Sequence, residues 1–121
     1  MKRGDVCWAR LEPRSGSEQR GRRPVVVVSH DAFNEIDAWR SVIVVPLTTS
    51  ARQGARGPTV VPLPPEQTSL PQESFALCHQ VTTLDRAKLE PPIGRLGEDA
   101  LQRIGRGVVV ACDLHAAFEG A

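Results

Sequence analysis

Two short runs of β-branched residues set the limits on what this chain can fold into: PVVVVS at residues 24–29 and SVIVVPLT at Ser41–Thr48. Runs of this length, bounded by Pro and polar residues, read as buried strands. They are far too short to span a membrane. Pro46 inside the second run signals an edge, a bulge or a strand end. Asp5–Leu11 alternates modestly, carries Trp8 and reads as a first strand. Residues 59–63 form another short strand. Residues 74–81 alternate, with Phe75, Leu77 and His79 on one face and Ala76, Cys78 and Gln80 on the other. Between these lie polar loops at 12–23, 49–58 and 64–73. A turn or single helical turn is expected at 30–40, and turns at 82–92.

The last element is helical. Leu101, Ile104, Val108, Ala111, Cys112 and His115 follow the i, i+3, i+4 spacing. Glu98 and Asp99 place negative charge in its first turn, where the helix dipole favours it. Gly97 is the expected cap, with Leu96 and Leu101 as a hydrophobic staple around it. Gly105 and Gly107 weaken such a helix by about 1 kcal/mol each relative to Ala. Close packing against a partner explains small residues there, and so does plain tolerance. Five or six short strands followed by one helix predict a mainly β chain with added helix, built as a compact curved antiparallel sheet or small barrel. At 121 residues the chain fits a single domain, residues 1–121. With no Tyr and three Phe, its core must be aliphatic.

The net charge of +1 names no partner, but its distribution is uneven. Residues 1–24 hold seven basic and three acidic side chains, and the remainder eight basic and eleven acidic. A basic N-terminal segment attracts polyanions, although a charge run is more often just a solvated face. Cys7, Cys78 and Cys112 are odd in number, form no CxxC pair and sit among apolar neighbours. Buried, reduced thiols in a cytoplasmic protein are expected, with no zinc site, no other metal and no cofactor. The start MKRGDVCW has no apolar signal region.

Signatures of common enzyme classes are scarce: no P-loop, no GxSxG and no HExxH occurs. His30, His79 and His115 are scattered, and a lone His is usually structural or on the surface. The segment GSEQRGRRPVVVVS has the most specific grammar. Arg23 immediately precedes Pro24 and a buried strand, at the rim of a rigid element. The loop before it offers Ser15, Ser17, Glu18, Gln19, Arg20 and Arg22. Arg suits phosphate because its planar fork donates bidentate hydrogen bonds. Thr48 and Thr49 stand where a strand runs out, with hydroxyls able to donate to a phosphate oxygen. His79 and Gln80 lie near the end of a third segment, ALCHQVTTLDRAKL.

Taken in order, RGDVCWARLEP (3–13), GSEQRGRRPVVVVS (16–29), DAFN (31–34), VIVVPLTTS (42–50), GPTVVPL (57–63), LCHQVTTLDRAKL (77–89) and IGRLGEDALQRI (93–104) resemble the MazF/PemK toxins of toxin–antitoxin systems. The resemblance covers most of the chain. It implies an SH3-like small β-barrel with added helices, shared with the CcdB toxins, and a symmetric homodimer. It implies metal-independent cleavage of single-stranded RNA, mRNA in particular, at short recognition sequences. The 2′-hydroxyl attacks the adjacent phosphate and leaves a 2′,3′-cyclic phosphate and a 5′-hydroxyl. The family's catalytic Arg and Thr match Arg23 and Thr48. The RNA-binding positions then fall on Ser17, Glu18, Gln19, Arg20, Arg22, Thr49, His79 and Gln80. A cognate antitoxin with an acidic, extended C-terminal tail is implied as partner.

The chain departs from the family at three positions. In a related plasmid-borne branch a His and an Asp carry the acid–base work, and their places match Ser17 and His79, so that pair does not carry over. Thr82 stands where the family often has Arg, which removes one RNA-phosphate or structural contact. Three other readings stay open. They are a CcdB-like gyrase-binding toxin of the same fold, a sequence-neutral nucleic-acid-binding barrel, and a ribonuclease that depends on His79.

Overall fold

The computed structural model describes residues 1–11, 21–50, 52 and 57–114. Strands β1 (Asp5–Leu11), β2 (Gly21–Val27), β3 (Ser41–Thr48), β4 (Val60–Leu63), β5 (Ser74–Leu77), β6 (Thr82–Asp85) and β7 (Gly94–Arg95) form one antiparallel sheet. Its order is β4-β5-β3-β2-β1-β7, with β6 also beside β3. The sheet curls into a half-barrel, closed on one side by helix α3 (Glu98–Ala111). Short helices α1 (Asp31–Asn34) and α2 (Pro65–Thr68) lie in the connections.

The valine run is continuous because both faces of the sheet are covered there. Val26, with Val6, Val45, Leu47, Leu63, Leu101 and Ile104, fills the core under α3. Its neighbours Val25 and Val27 fill a second core with Cys7, Ala9, Val42, Val44 and Leu84. All three valines are fully buried, at roughly 1.5–3 kcal/mol for each such side chain.

β3 is a central strand, so the expectation that Pro46 marks an edge or strand end is corrected. One margin of β3 pairs with β2 through Val44–Pro46. The other pairs with β6 through Ser41–Val44 and then with β5 through Leu47 and Thr48. Pro46 stands in the gap between those two partners, where one ladder stops and the next has not begun.

Other boundaries move as well. β2 begins at Gly21, three residues inside the segment read as a loop, because Gly21–Arg23 pair with Ala9–Leu11 of β1. The strand expected through residue 81 ends at Leu77, and Cys78–Gln80 form a 3₁₀ turn. The stretch read only as turns contains β6 and a 3₁₀ turn at Arg86–Lys88. From that turn Arg86 donates to the carbonyls of Phe33, Asn34, Ile36 and Trp39, tying the 33–39 segment down.

Helix α3 buries Ala100, Leu101, Ile104 and Gly107, capped by Gly97, with Leu96 and Leu101 in the same core. Ala111 and Cys112 are exposed, contrary to the periodic reading, since Gly107 is the last buried position of the helix. His115 lies outside the described residues. The two glycines separate. A Cβ on Gly107 would stand 2.6 Å from Cys78 Sγ, whereas one on Gly105 would meet nothing within 4 Å. Gly107 thus lets α3 approach the 3₁₀ turn of its own chain. Cys7 and Cys78 are buried, and burial pushes their thiols up to about 11 and about 12. No helix among the described residues is long and apolar enough to cross a membrane.

Candidate active site

Register brings the candidate residues together. β2 and β3 pair with Val25 opposite Pro46, Val26 opposite Val45 and Val27 opposite Val44. Continued two residues toward the ends of both strands, the same register sets Arg23 opposite Thr48. Residues directly opposite on antiparallel strands project to the same face, with Cβ atoms about 4.5–5.5 Å apart. Pro24 is buried and anchors the base of this corner.

Arg23 and Thr48 line one cleft together with Trp8, Pro24, Leu47, Thr49, Leu70, Pro71 and Gln72. Its volume is about 250 Å³. That is less than the roughly 300–1,000 Å³ of pockets that enclose a small molecule. It suits one part of a longer chain lying across it. The polar groups offer donors: a guanidinium, two hydroxyls and an amide NH2, of which the hydroxyls and the amide also accept. The apolar side is formed by Trp8, Leu47, Leu70 and Pro71. Thr48 Oγ1 accepts a 3.2 Å hydrogen bond from the Ser50 amide, which orients the hydroxyl while its own hydrogen remains available to donate. Such a wall of donors beside a flat apolar surface can hold a phosphate and the base next to it.

The structure separates the remaining candidates. Thr49 lines the cleft. Arg22 is absent from the lining; it leaves β2 on the face opposite Arg23, the face that Trp8 and Pro24 share. It forms a bidentate ion pair with Glu90, at 2.7 and 2.8 Å, and its guanidinium lies 4.4 Å from the centroid of the Trp8 ring. The hydrogen bond from Arg22 holds the Glu90 carboxyl below its usual range, and the same bond raises Arg22. His79 and Gln80 sit on the 3₁₀ turn beneath α3 and are absent from the cleft lining. The facing of His79 and Gln80 expected from strand alternation is thereby corrected, because that turn replaces the strand. Thr82 opens β6 opposite Val44. Ser17, Glu18, Gln19 and Arg20 lie outside the described residues.

Other contributors are not singled out by the sequence as site residues: Trp8 reads as a strand residue and as one of five scattered aromatics that argue against a stacking sheet, residues 70–72 as loop, and Glu90 as part of the 82–92 turns. The alternation of β1, which puts Trp8 on the same face as Val6, was the one available signal for the indole. Gln72 and Glu90 had none, because their contacts are long-range. Among the described residues no group of three or more His, Cys, Asp and Glu could hold a metal ion.

Residues 2–112 match a family described as PemK-like, MazF-like toxin of type II toxin-antitoxin system. The chain is 31% identical over 115 residues to the endoribonuclease MazF of Staphylococcus saprophyticus, covering 95% of this chain and 93% of that protein. It superposes on the crystal structure of MazF from Deinococcus radiodurans with a TM-score of 0.74 at 25% identity, over 93% of this chain and 96% of that one. A mycobacterial endoribonuclease in complex with its cognate antitoxin matches with a TM-score of 0.68 at 24% identity, over 93% of each chain. With an aligned relative above 30% identity and a family match over nearly its whole length, the chain belongs to the PemK-like, MazF-like toxins of type II toxin–antitoxin systems.

Proposed function

We propose that the protein is an endoribonuclease toxin that cuts single-stranded RNA without a metal, with Arg23 and Thr48 as its catalytic residues. The observation that supports this reading is that Arg23 and Thr48 line one cleft, where the β2–β3 register, continued two residues past Val25 and Pro46, brings them to facing positions. The kinship to a protein named endoribonuclease MazF supports nuclease chemistry over gyrase binding.

The O2′ of the nucleotide before the cut forms a bond to phosphorus, and the bond from phosphorus to O5′ of the next nucleotide breaks. One proton leaves O2′ and one reaches O5′, so the cyclic phosphate and the 5′-hydroxyl form with no net proton change. Negative charge gathers on the nonbridging oxygens as the phosphorus becomes five-coordinate. Arg23 and the Thr48 hydroxyl donate to those oxygens. Donors held in place before charge develops are often the largest catalytic contribution. Arg23 serves as a hydrogen-bond donor and not as a base, because a guanidinium carries five N–H donors and no acceptor. Thr49 and Gln72 hold the flanking backbone and base.

The working form is a homodimer of one-domain chains in the cytoplasm, with a cognate antitoxin as inhibitor. The family's place in toxin–antitoxin systems supports that partner. The basic excess at residues 1–24 suits both an acidic antitoxin segment and RNA.

The test is to incubate purified protein with a long single-stranded RNA in excess EDTA and map the fragment ends. Discrete cuts with cyclic-phosphate and 5′-hydroxyl ends, lost in Arg23→Ala, are expected. Intact RNA across several unrelated substrates would sink the reading in favour of a gyrase-type toxin.

A further inference from the structure

Trp8, Arg22 and Glu90 close a ring of contacts beside the cleft. In the β1–β2 register Trp8 faces Pro24, so Arg22 is its diagonal neighbour on the same face of the sheet. On the other margin of β1, Ala9 bridges to Leu89, and the Glu90 amide donates to the Trp8 carbonyl at 2.8 Å. Glu90 is thereby set beside Trp8 by backbone pairing. Its carboxylate then takes both donors of the Arg22 fork, and that guanidinium lies over the indole. Each of the three residues is fixed by the other two.

A surface ion pair of this exposure adds little to folding. Arg22 and Glu90 keep 54% and 46% of their side-chain surfaces in water. What the pair does accomplish is local. A guanidinium clamped at two points cannot slide, so it holds the ring beneath it in one orientation. That ring also lines the cleft that contains Arg23 and Thr48. A single-stranded chain crossing the cleft with its phosphate at those residues brings a base to the part of Trp8 that Arg22 leaves uncovered. Aromatic surfaces bind such bases by stacking.

We propose that Trp8 is the base-stacking surface of the site, and that Arg22 and Glu90 are positioning residues that hold its ring for the nucleotide beside the cut. The proposal rests on the ribonuclease reading and adds to it residues that touch no reacting atom.

The test uses the full-length chain with Trp39→Phe, which leaves Trp8 as its one Trp. Cleavage of a fluorescent RNA in EDTA is followed under single turnover against protein concentration, and Trp8 quenching is followed with a short uncleavable 2′-deoxy oligonucleotide. Arg22→Lys keeps the charge but loses the fork, and Glu90→Gln loosens its clamp. Each is expected to raise the half-saturating concentration by about five- to tenfold, part of the roughly 1–3 kcal/mol that stacking contributes. Each should leave the saturated rate within about twofold and weaken quenching in proportion. The double variant should be no worse than either single one, because the residues act as one unit. Cleavage by the parent with half-saturation unchanged in both variants would overturn the positioning role. A fall in the saturated rate at constant half-saturation would overturn it too. Quenching of Trp8 without cleavage by the parent would instead remove the ribonuclease reading and keep the stacking surface.

Discussion

Arg23, inside β2, and Thr48, the last residue of β3, line one cleft, and the β2–β3 register continued two residues beyond its last pair, Val25 with Pro46, sets them facing each other. Their approach is a consequence of strand register. A slip of one residue would turn one of them to the other face. The buried Val25, Val26 and Val27 oppose such a slip, since each is committed to one of the two cores.

Removing either donor is expected to lower the rate of the chemical step. Arg23→Ala should reduce the single-turnover rate at saturating RNA by about a hundredfold or more, the scale for one oxyanion donor. Thr48→Val, which keeps the shape and loses the hydroxyl, should show a loss in the same direction. A rise in half-saturation with the saturated rate intact would assign both residues to binding alone.

The two glycines of α3 should respond with opposite signs. Gly107→Ala drives a Cβ to within 2.6 Å of Cys78 Sγ and 3.0 Å of its Cβ. A destabilisation of about 1–3 kcal/mol is expected from such overpacking, measured by urea unfolding. Gly105→Ala meets nothing within 4 Å and should stabilise by about 0.5–1 kcal/mol through helix propensity. Adding Cys78→Ala to Gly107→Ala should recover part of the loss. Equal effects at the two glycines would contradict the close approach.

Thiol labelling should distinguish the cysteines. Burial raises Cys7 to about 11, aided by the Asp5 charge, and Cys78 to about 12. Because the thiolate is the reactive form, both should stay unlabelled by iodoacetamide near pH 8 while the chain is folded. Cys112 is exposed and should label readily. All three should react in guanidinium. Early labelling of Cys78 would show that α3 does not stay seated on its turn.

Asp31 should contribute to acid sensitivity. The Arg3 backbone amide, and next the Asn34 side chain, donate to its carboxylate and hold it below the ordinary value of 3.8. A carboxyl whose folded pKa is depressed stabilises the fold above its unfolded pKa. That contribution is lost as pH falls through the lower, folded pKa. Asp31→Asn should therefore cost stability at neutral pH, with the difference from the parent shrinking below about pH 4. A constant difference across that range would show that the charge is not what matters.

The strands β1 and β3 and the helix α3 were legible because each carries its own period and its own stops. Thr48 was legible as a strand-end residue for the same reason and Arg23 as the neighbour of the valine run, and their roles came from resemblance. Where elements were misread, the cause was long-range pairing. Gly21–Arg23 look like loop until Ala9–Leu11 offer a ladder, and TTLD looks like turn until Ser41–Val44 lie beside it. His79 looked like a strand residue until the 3₁₀ turn under α3 removed it from the cleft.

Local composition thus determined which segments are apolar, where they begin, and that they form a small β structure with a terminal helix. Only the tertiary structure decided that Pro46 belongs to a central strand, that Gly107 is required and Gly105 is not, and that the Glu90 carboxylate holds Arg22 over Trp8. The physical reason is that hydrophobic period and capping are written in neighbouring residues. Register, close approach and ion pairing depend on partners that are distant in the chain and meet only when the sheet curls.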